Sequence, residues 1–86
     1  MKKTILFAAA AIALPFAAHA MPVVGDHVGT SPDAARTALA SAGCTVSKFE
    51  AEGGKIEAKC HDASNKRWEI YIDPKSGNVT KIKADD

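Results

Sequence analysis

The stretch "WEIYIDPKSGNVTKI", residues 68 to 82, constrains the fold more than any other in this chain of 86 residues. It alternates, turns and alternates again. Trp68, Ile70 and Ile72 fall on one face of a strand and Arg67, Glu69 and Tyr71 on the other, the period of two that marks a half-buried strand. The turn after it is written out in side chains. Asp73 can accept from the turn's backbone, Pro74 pre-sets φ at the second position, Ser76 supports the loop and Gly77 supplies the left-handed residue that brings the chain back. Val79 and Ile82 stand three apart in the returning strand and cannot both face the core while it runs straight. Either Gly77 makes a bulge that changes the parity, or one of the two is exposed. With residues 74 to 77 as the loop, Ile82 lies opposite Glu69, and with Tyr71 it makes a small apolar spot on an otherwise charged outer face. Lys81 and Lys83 suit an edge strand guarded against strangers.

Upstream, the same alternation occurs in "TVSKFEAE" and "KIEAKCHD", on either side of Gly53-Gly54, a dipeptide made for a two-residue hairpin. Pairing Glu52 with Lys55 sets Ala51 against Ile56, Phe49 against Ala58 and Ser47 against Cys60. Before this hairpin comes "TSPDAARTALASAG". Ser31 caps, Pro32 takes the first helical position, Asp33 sits at the positive end and Gly43 closes. Ala35, Ala38, Leu39 and Ala42 then form a narrow buried stripe. The fold class is α+β: one short helix packed on a three- to four-stranded antiparallel meander sheet.

The first residues set the compartment. "MKKTILFAAAAIALPFAAHA" has a basic start, a short apolar run broken by Pro15, and small residues before Ala20, the form of a secretory signal cleaved after Ala20. The run is too short for a membrane span. No cysteine follows the cleavage point to carry a lipid, so the expected location is the periplasm or the exterior. Residues 1–20 are read as signal, 21–30 as a flexible arm with an extended piece at Val23 and Val24, and 31–86 as a single domain. With Lys2 and Lys3 gone, nine basic residues face ten acidic ones. Such a balance offers no field for nucleic acid or an anionic membrane.

A domain of this size buries only about 60% of its unfolded surface and benefits from a staple. Cys44 and Cys60, alone in an oxidising compartment, are expected to supply it. About 15 residues lie between them, so the cross-link removes roughly 3 kcal/mol of denatured-state entropy. The straight hairpin register leaves Cys44 three residues beyond the position opposite Cys60, too far for a bridge. The expected resolution is that Cys44, directly after the helix stop, lies above the sheet and ties the helix end to the second strand.

The order helix, hairpin, hairpin and the ending "WEIYIDPKSGNVTKI" resemble the PepSY domain, found in propeptides of thermolysin-like metallopeptidases and as small secreted proteins. The resemblance runs from Ser31 to Lys83 and is carried by Ala42-Gly43 at the helix end and by Asp73, Pro74, Ser76, Gly77 and Val79 at the turn. The cysteine pair departs from the family pattern. The chain is read as one bare module, so the expected action is on a separate protein.

Catalysis is not expected. His27 lies in the arm and His61 on the outer side of its strand, and nothing aligns a nucleophile with an oriented base. Glu50, Glu57 and Glu69 share the outer face with Lys48, Lys55, Lys59 and Arg67, which reads as a solvated mixed-charge surface rather than a sheltered carboxyl pair. No cofactor and no metal is expected: Cys60-His61-Asp62 alternate along a strand, and His27, Asp26, Asp85 and Asp86 offer at most an adventitious site. What remains is a binding module for an extracytoplasmic peptidase or other envelope protein. Its candidate contacts are Arg67, Glu69, Tyr71 and Ile82, rimmed by charge in the manner of a small hot spot, with strand addition at an open edge as the other physical route. The alternative is an envelope or stress protein that binds a small ligand or ion.

Overall fold

The computed structural model describes residues 21–85, and the segment read as a signal lies outside them. One helix, α1 (Pro32–Ser41), precedes four strands: β1 (Thr45–Glu52), β2 (Lys55–His61), β3 (Arg67–Ile72) and β4 (Val79–Ala84). The strands form one antiparallel meander in the order β1-β2-β3-β4. This is the expected α+β architecture.

The helix begins and ends as its sequence dictates. The Ser31 hydroxyl accepts from the Ala34 N–H at 3.1 Å, satisfying one of the first-turn donors that no helical carbonyl can reach. At the other end the Gly43 N–H donates to the Ala40 carbonyl at 3.0 Å and the Cys44 N–H to that of Leu39 at 2.8 Å. That pair of bonds is a Schellman closure, which folds the chain back over the last turn. It delivers Cys44 to the helix side of the sheet. There Cys44 bridges to Cys60 with a Cα–Cα distance of 5.4 Å, so the helix end is stapled to β2 as expected.

The β1–β2 register follows the expected pairing from Glu52↔Lys55 through Phe49↔Ala58 to Lys48↔Lys59, and then departs from it. Val46, not Ser47, lies opposite Cys60, because Ser47 is an extra residue in a bulge. The Ser47 hydroxyl donates to the Lys59 carbonyl at 3.1 Å. A second bulge at Thr80 does the same between β3 and β4, with its hydroxyl donating to the Tyr71 carbonyl at 3.3 Å. Each bulge sits on a residue whose side chain engages the partner strand. The second one changes the parity of β4, so Val79 pairs with Ile72 and Ile82 with Ile70, both on the inner face. Ile82 is therefore not opposite Glu69 and adds no apolar spot to the outer face.

The inner face holds the core: Leu39, Cys44, Ala58 and Ile70 are fully enclosed, with Ala35, Val46, Cys60, Ile72, Val79 and Val28 around them. Phe49, Ile56, Trp68 and Ile82 pack at the margin. Val28 belongs to the segment read as a flexible arm, and its burial marks a correction. Residues 25 to 29 are bonded to the start of β4: Gly25 N–H to Val79 O and Val28 N–H to Gly77 O, both at 2.8 Å, with Val79 N–H returned to Asp26 O at 2.8 Å. The extended contact is at His27, bridged to Asn78, whereas Val23 and Val24 are exposed. Gly77 makes this docking possible. Its φ is 76°, and a Cβ there would stand 2.8 Å from the Gly29 carbonyl carbon and oxygen.

Candidate functional site: the outer sheet face and the inner cleft

The register arranges the outer face as crossing rows. Glu50, Glu57, Tyr71 and Lys81 form one row, Lys48, Lys59, Glu69 and Lys83 the next, and His61 and Arg67 stand beyond them. Charges of opposite sign meet along a strand and between directly opposed positions of neighbouring strands. Lys48 and Glu50 are 2.9 Å apart, and Glu69 lies 3.8 Å from both Lys59 and Lys83. Arg67, Glu69 and Tyr71 are thus together on the outer face; Ile82, the fourth residue of the expected patch, is on the other side of the sheet.

Tyr71 is held rather than free. Its hydroxyl donates to Glu69 Oε1 at 3.2 Å, and the Lys81 ammonium stands 5.3 Å from its ring centroid. Burial beneath its neighbours, together with the bond to Glu69, pushes the phenol up to about 12. Glu57 is the less expected member. It is only 4% exposed although it points away from the core. Burial first, and then a hydrogen bond with Glu69, raise its carboxyl above the usual range. Burial also pulls Glu69 upward, but bonds from Tyr71 and Glu57 and the charge of Lys83 outweigh it and leave that carboxyl low. Two neighbouring carboxyls on this face thus have their pKa values driven apart. The mixed-charge reading of this face missed that pair, because sequence shows which residues alternate outward but not how deeply their neighbours cover them.

The expected turn residues are where they should be. Asp73 Oδ1 accepts from the Lys75 N–H at 2.8 Å and the Ser76 N–H at 3.2 Å, the Gly77 N–H returns to the Asp73 carbonyl at 2.8 Å, and the Ser76 hydroxyl accepts from Asn78. A second aspartate does similar work unforeseen. Asp62 Oδ1 accepts from the Ser64 and Lys66 N–H groups, both at 2.9 Å, while its Oδ2 takes the Trp68 indole N–H at 3.0 Å. Those bonds hold its carboxyl below the ordinary range, the indole first. The signal was present: an aspartate ahead of Ala-Ser-Asn between two alternating runs is a loop opener. His27 and Asp26 are likewise occupied by the fold, on Asn78 and the Val23 N–H. Among the described residues, no group of three metal-ligating side chains converges.

On the inner face a cleft of about 240 Å³ opens between the start of α1 and the hairpin end of the sheet. Phe49, Ala51, Ile56 and Ile72 floor it, and Gly29 to Pro32, Ala35 and Pro74 wall it. It is mostly apolar. The sequence suggested no such space, since a helix with a narrow, mostly alanine stripe can lie close against its sheet.

The peptidase propeptide and YPEB domain model of the PepSY type matches residues 3–83. The chain belongs to this family. The PepSY match spans nearly the whole sequence, from within the segment read as a signal to Lys83 in β4. Searches of the curated proteins and of the solved structures returned no significant match. As a PepSY member the chain is a propeptide-type module of a kind associated with peptidase regulation. No helix among the described residues is long and apolar enough to cross a membrane.

Proposed function

We propose that this PepSY chain is a secreted or periplasmic, non-catalytic binding module that modulates an extracytoplasmic peptidase or other envelope protein through its sheet. The observation that carries the reading is the outer face. Four strands present a continuous surface that neither α1 nor the docked segment covers, with Tyr71 at its centre fixed in one orientation by Glu69 and Lys81. A rigid aromatic among charges loses little side-chain entropy on contact, which is what makes such residues effective anchors. Arg67 adds an exposed cation at the row's end. The disulfide and the capped turns serve this role by keeping a small sheet in a single register.

The test is capture from an envelope extract with the tagged, oxidised protein, compared with Tyr71→Ala. A peptidase or envelope protein retained by the native chain and lost from the variant is the expected result. Equal retention by both would remove the outer face from the contact. An extract yielding nothing above background, followed by a thermal-shift response to a small molecule or ion, would turn the reading toward ligand binding.

A further inference from the structure

The layer over the inner face thins toward one corner of the sheet. Along the last inner row Val79 and Ile72 are buried, Ile56 is half-buried and Ala51 is exposed. This corner is the apolar cleft, and the strand that borders it, β1, is a sheet edge. Glu52 and Lys55 flank a two-residue loop whose glycines have φ of 55° and 80°, so their backbone groups face each other. The alternation of antiparallel pairs then turns the N–H and C=O groups of Ala51 and Phe49 outward, away from β2. The same two residues send their side chains into the cleft. Toward the other end the edge is closed: Arg36 reaches across from α1, donating to the Val46 carbonyl at 3.2 Å with its guanidinium 5.2 Å from the Phe49 ring centroid. Among the described residues, nothing pairs with the outer edge from Lys48 to Glu52.

We infer that this open edge and its cleft together take up an extended polypeptide segment of a partner, which adds as a fifth strand and inserts one bulky apolar side chain. The inference rests on the reading of the chain as a binding module and names the chemistry of what it binds. Outward main-chain donors and acceptors at strand spacing are matched by another extended backbone. A residue added opposite Phe49 or Ala51 points its side chain to their own face, into the cleft. At about 240 Å³ the cleft is smaller than the roughly 300–1,000 Å³ of small-molecule sites and of a size to hold a side chain. Charge at this corner favours a basic neighbour in the incoming segment. Lys48 and Lys55 are paired with Glu50 and Asp73, whereas Glu52, on the outer side of the same edge, has no ion pair among the described residues. The opposite edge is better defended, since residues 25 to 29 occupy the start of β4 and Lys81 and Lys83 follow.

The probe is an acetylated, amidated heptapeptide, Thr-Thr-Lys-Phe-Lys-Thr-Thr, whose lysines alternate to the outer side when Phe enters the cleft, titrated into the isotopically labelled, oxidised protein and followed by amide NMR. The expected result is shifts concentrated at Phe49, Ala51 and Ile56. Ala51→Pro removes an outward N–H at an edge position where proline is tolerated, and should weaken binding at least about tenfold, a loss of about 1.4 kcal/mol. Amide dispersion and Trp68 emission report whether that variant is folded. The same peptide N-methylated on alternate amides tests the edge without altering the protein and should lose a similar factor. No binding at millimolar peptide, binding indifferent to both changes, or shifts confined to the Tyr71 face would overturn the inference. So would self-association abolished by Ala51→Pro, which would assign the edge to a second copy of the chain. Partner capture lost in Tyr71→Ala but unchanged in Ala51→Pro would overturn the edge and leave the module standing; peptide binding at the edge with no partner captured would do the reverse.

Discussion

Glu57 shows how a residue that alternates outward can still be buried. Its carboxyl lies under the side chains of the surrounding rows, and desolvation raises its pKa above the ordinary value. A group that binds its proton more tightly folded than unfolded favours the fold below its unfolded pKa, and that contribution is lost as pH rises through the folded pKa. Asp62 and Asp73 have the opposite sign: their hydrogen-bonded carboxylates are held low, so their stabilisation is present above the unfolded value near 3.8 and lost as pH falls through the folded pKa. Glu57→Gln, a permanent stand-in for the protonated acid, should therefore raise the melting temperature at pH 7 and leave it little changed at pH 4. Thermal melts of both proteins across that range check this; an equal gain at both ends would show that Glu57 is not the titrating group. Asp62→Ala should lower the melting temperature and shift Trp68 emission to the red, because one carboxylate serves both the loop backbone and the indole. Asn at the same position should restore much of the loss, having an acceptor oxygen but no charge.

At the scale of elements, the strands, their order and the helix limits could be read from period and punctuation, since alternation, Gly53-Gly54, the Asp73 turn and the Ser31 cap are all local signals. The two bulges could not be placed in the same way. Val79 and Ile82 announced a conflict of parity, but the sequence pointed to Gly77, and the extra residue is Thr80. Ser47 gave less warning still, because it fitted the alternation and only the distance between the cysteines objected. In both cases the core decides, since the bulge lets Val46 and Cys60, or Val79 and Ile82, share the inner face. The candidate site divided along the same line: Arg67, Glu69 and Tyr71 lie on a regular strand and kept their face, while Ile82 lies beyond a bulge and changed it. The docked segment was missed for another reason. Its bonds to Gly77 and Val79 are long-range, and its glycines look like those of a loose arm. Gly77→Ala tests that joint, since the substitution combines a left-handed φ with a 2.8 Å approach to Gly29. A loss of about 1–3 kcal/mol is expected in chemical denaturation, with faster amide exchange at Val28 and Gly29 than elsewhere. Uniform acceleration across all strands would instead make the joint part of the global unit.

For the whole molecule the deciding contact is the one between layers. The helix has a narrow face, Ala35 and Leu39, and packs chiefly toward β1, so it spans only part of the sheet. That partial cover leaves the cleft open at one corner, and it also leaves little apolar area to hold the helix down. The bridge from Cys44 to Cys60 compensates at the point where α1 ends, leaving the start of the helix beside the cleft held by the Ser31 cap and Ala35. A domain of this size has a total stability of about 5 kcal/mol. Reduction, or Cys44→Ala with Cys60→Ala, should remove roughly 3 kcal/mol of it and move the midpoint in urea without abolishing the sheet. Leu39→Ala in the oxidised protein should cost about 2–5 kcal/mol, as a fully buried leucine left without its atoms. The two changes meet at one joint, since the Cys44 N–H caps the Leu39 carbonyl and both side chains are enclosed. Their costs should therefore not add in a double-mutant cycle. Simple additivity in urea denaturation would mean that the staple and the helix anchor act independently.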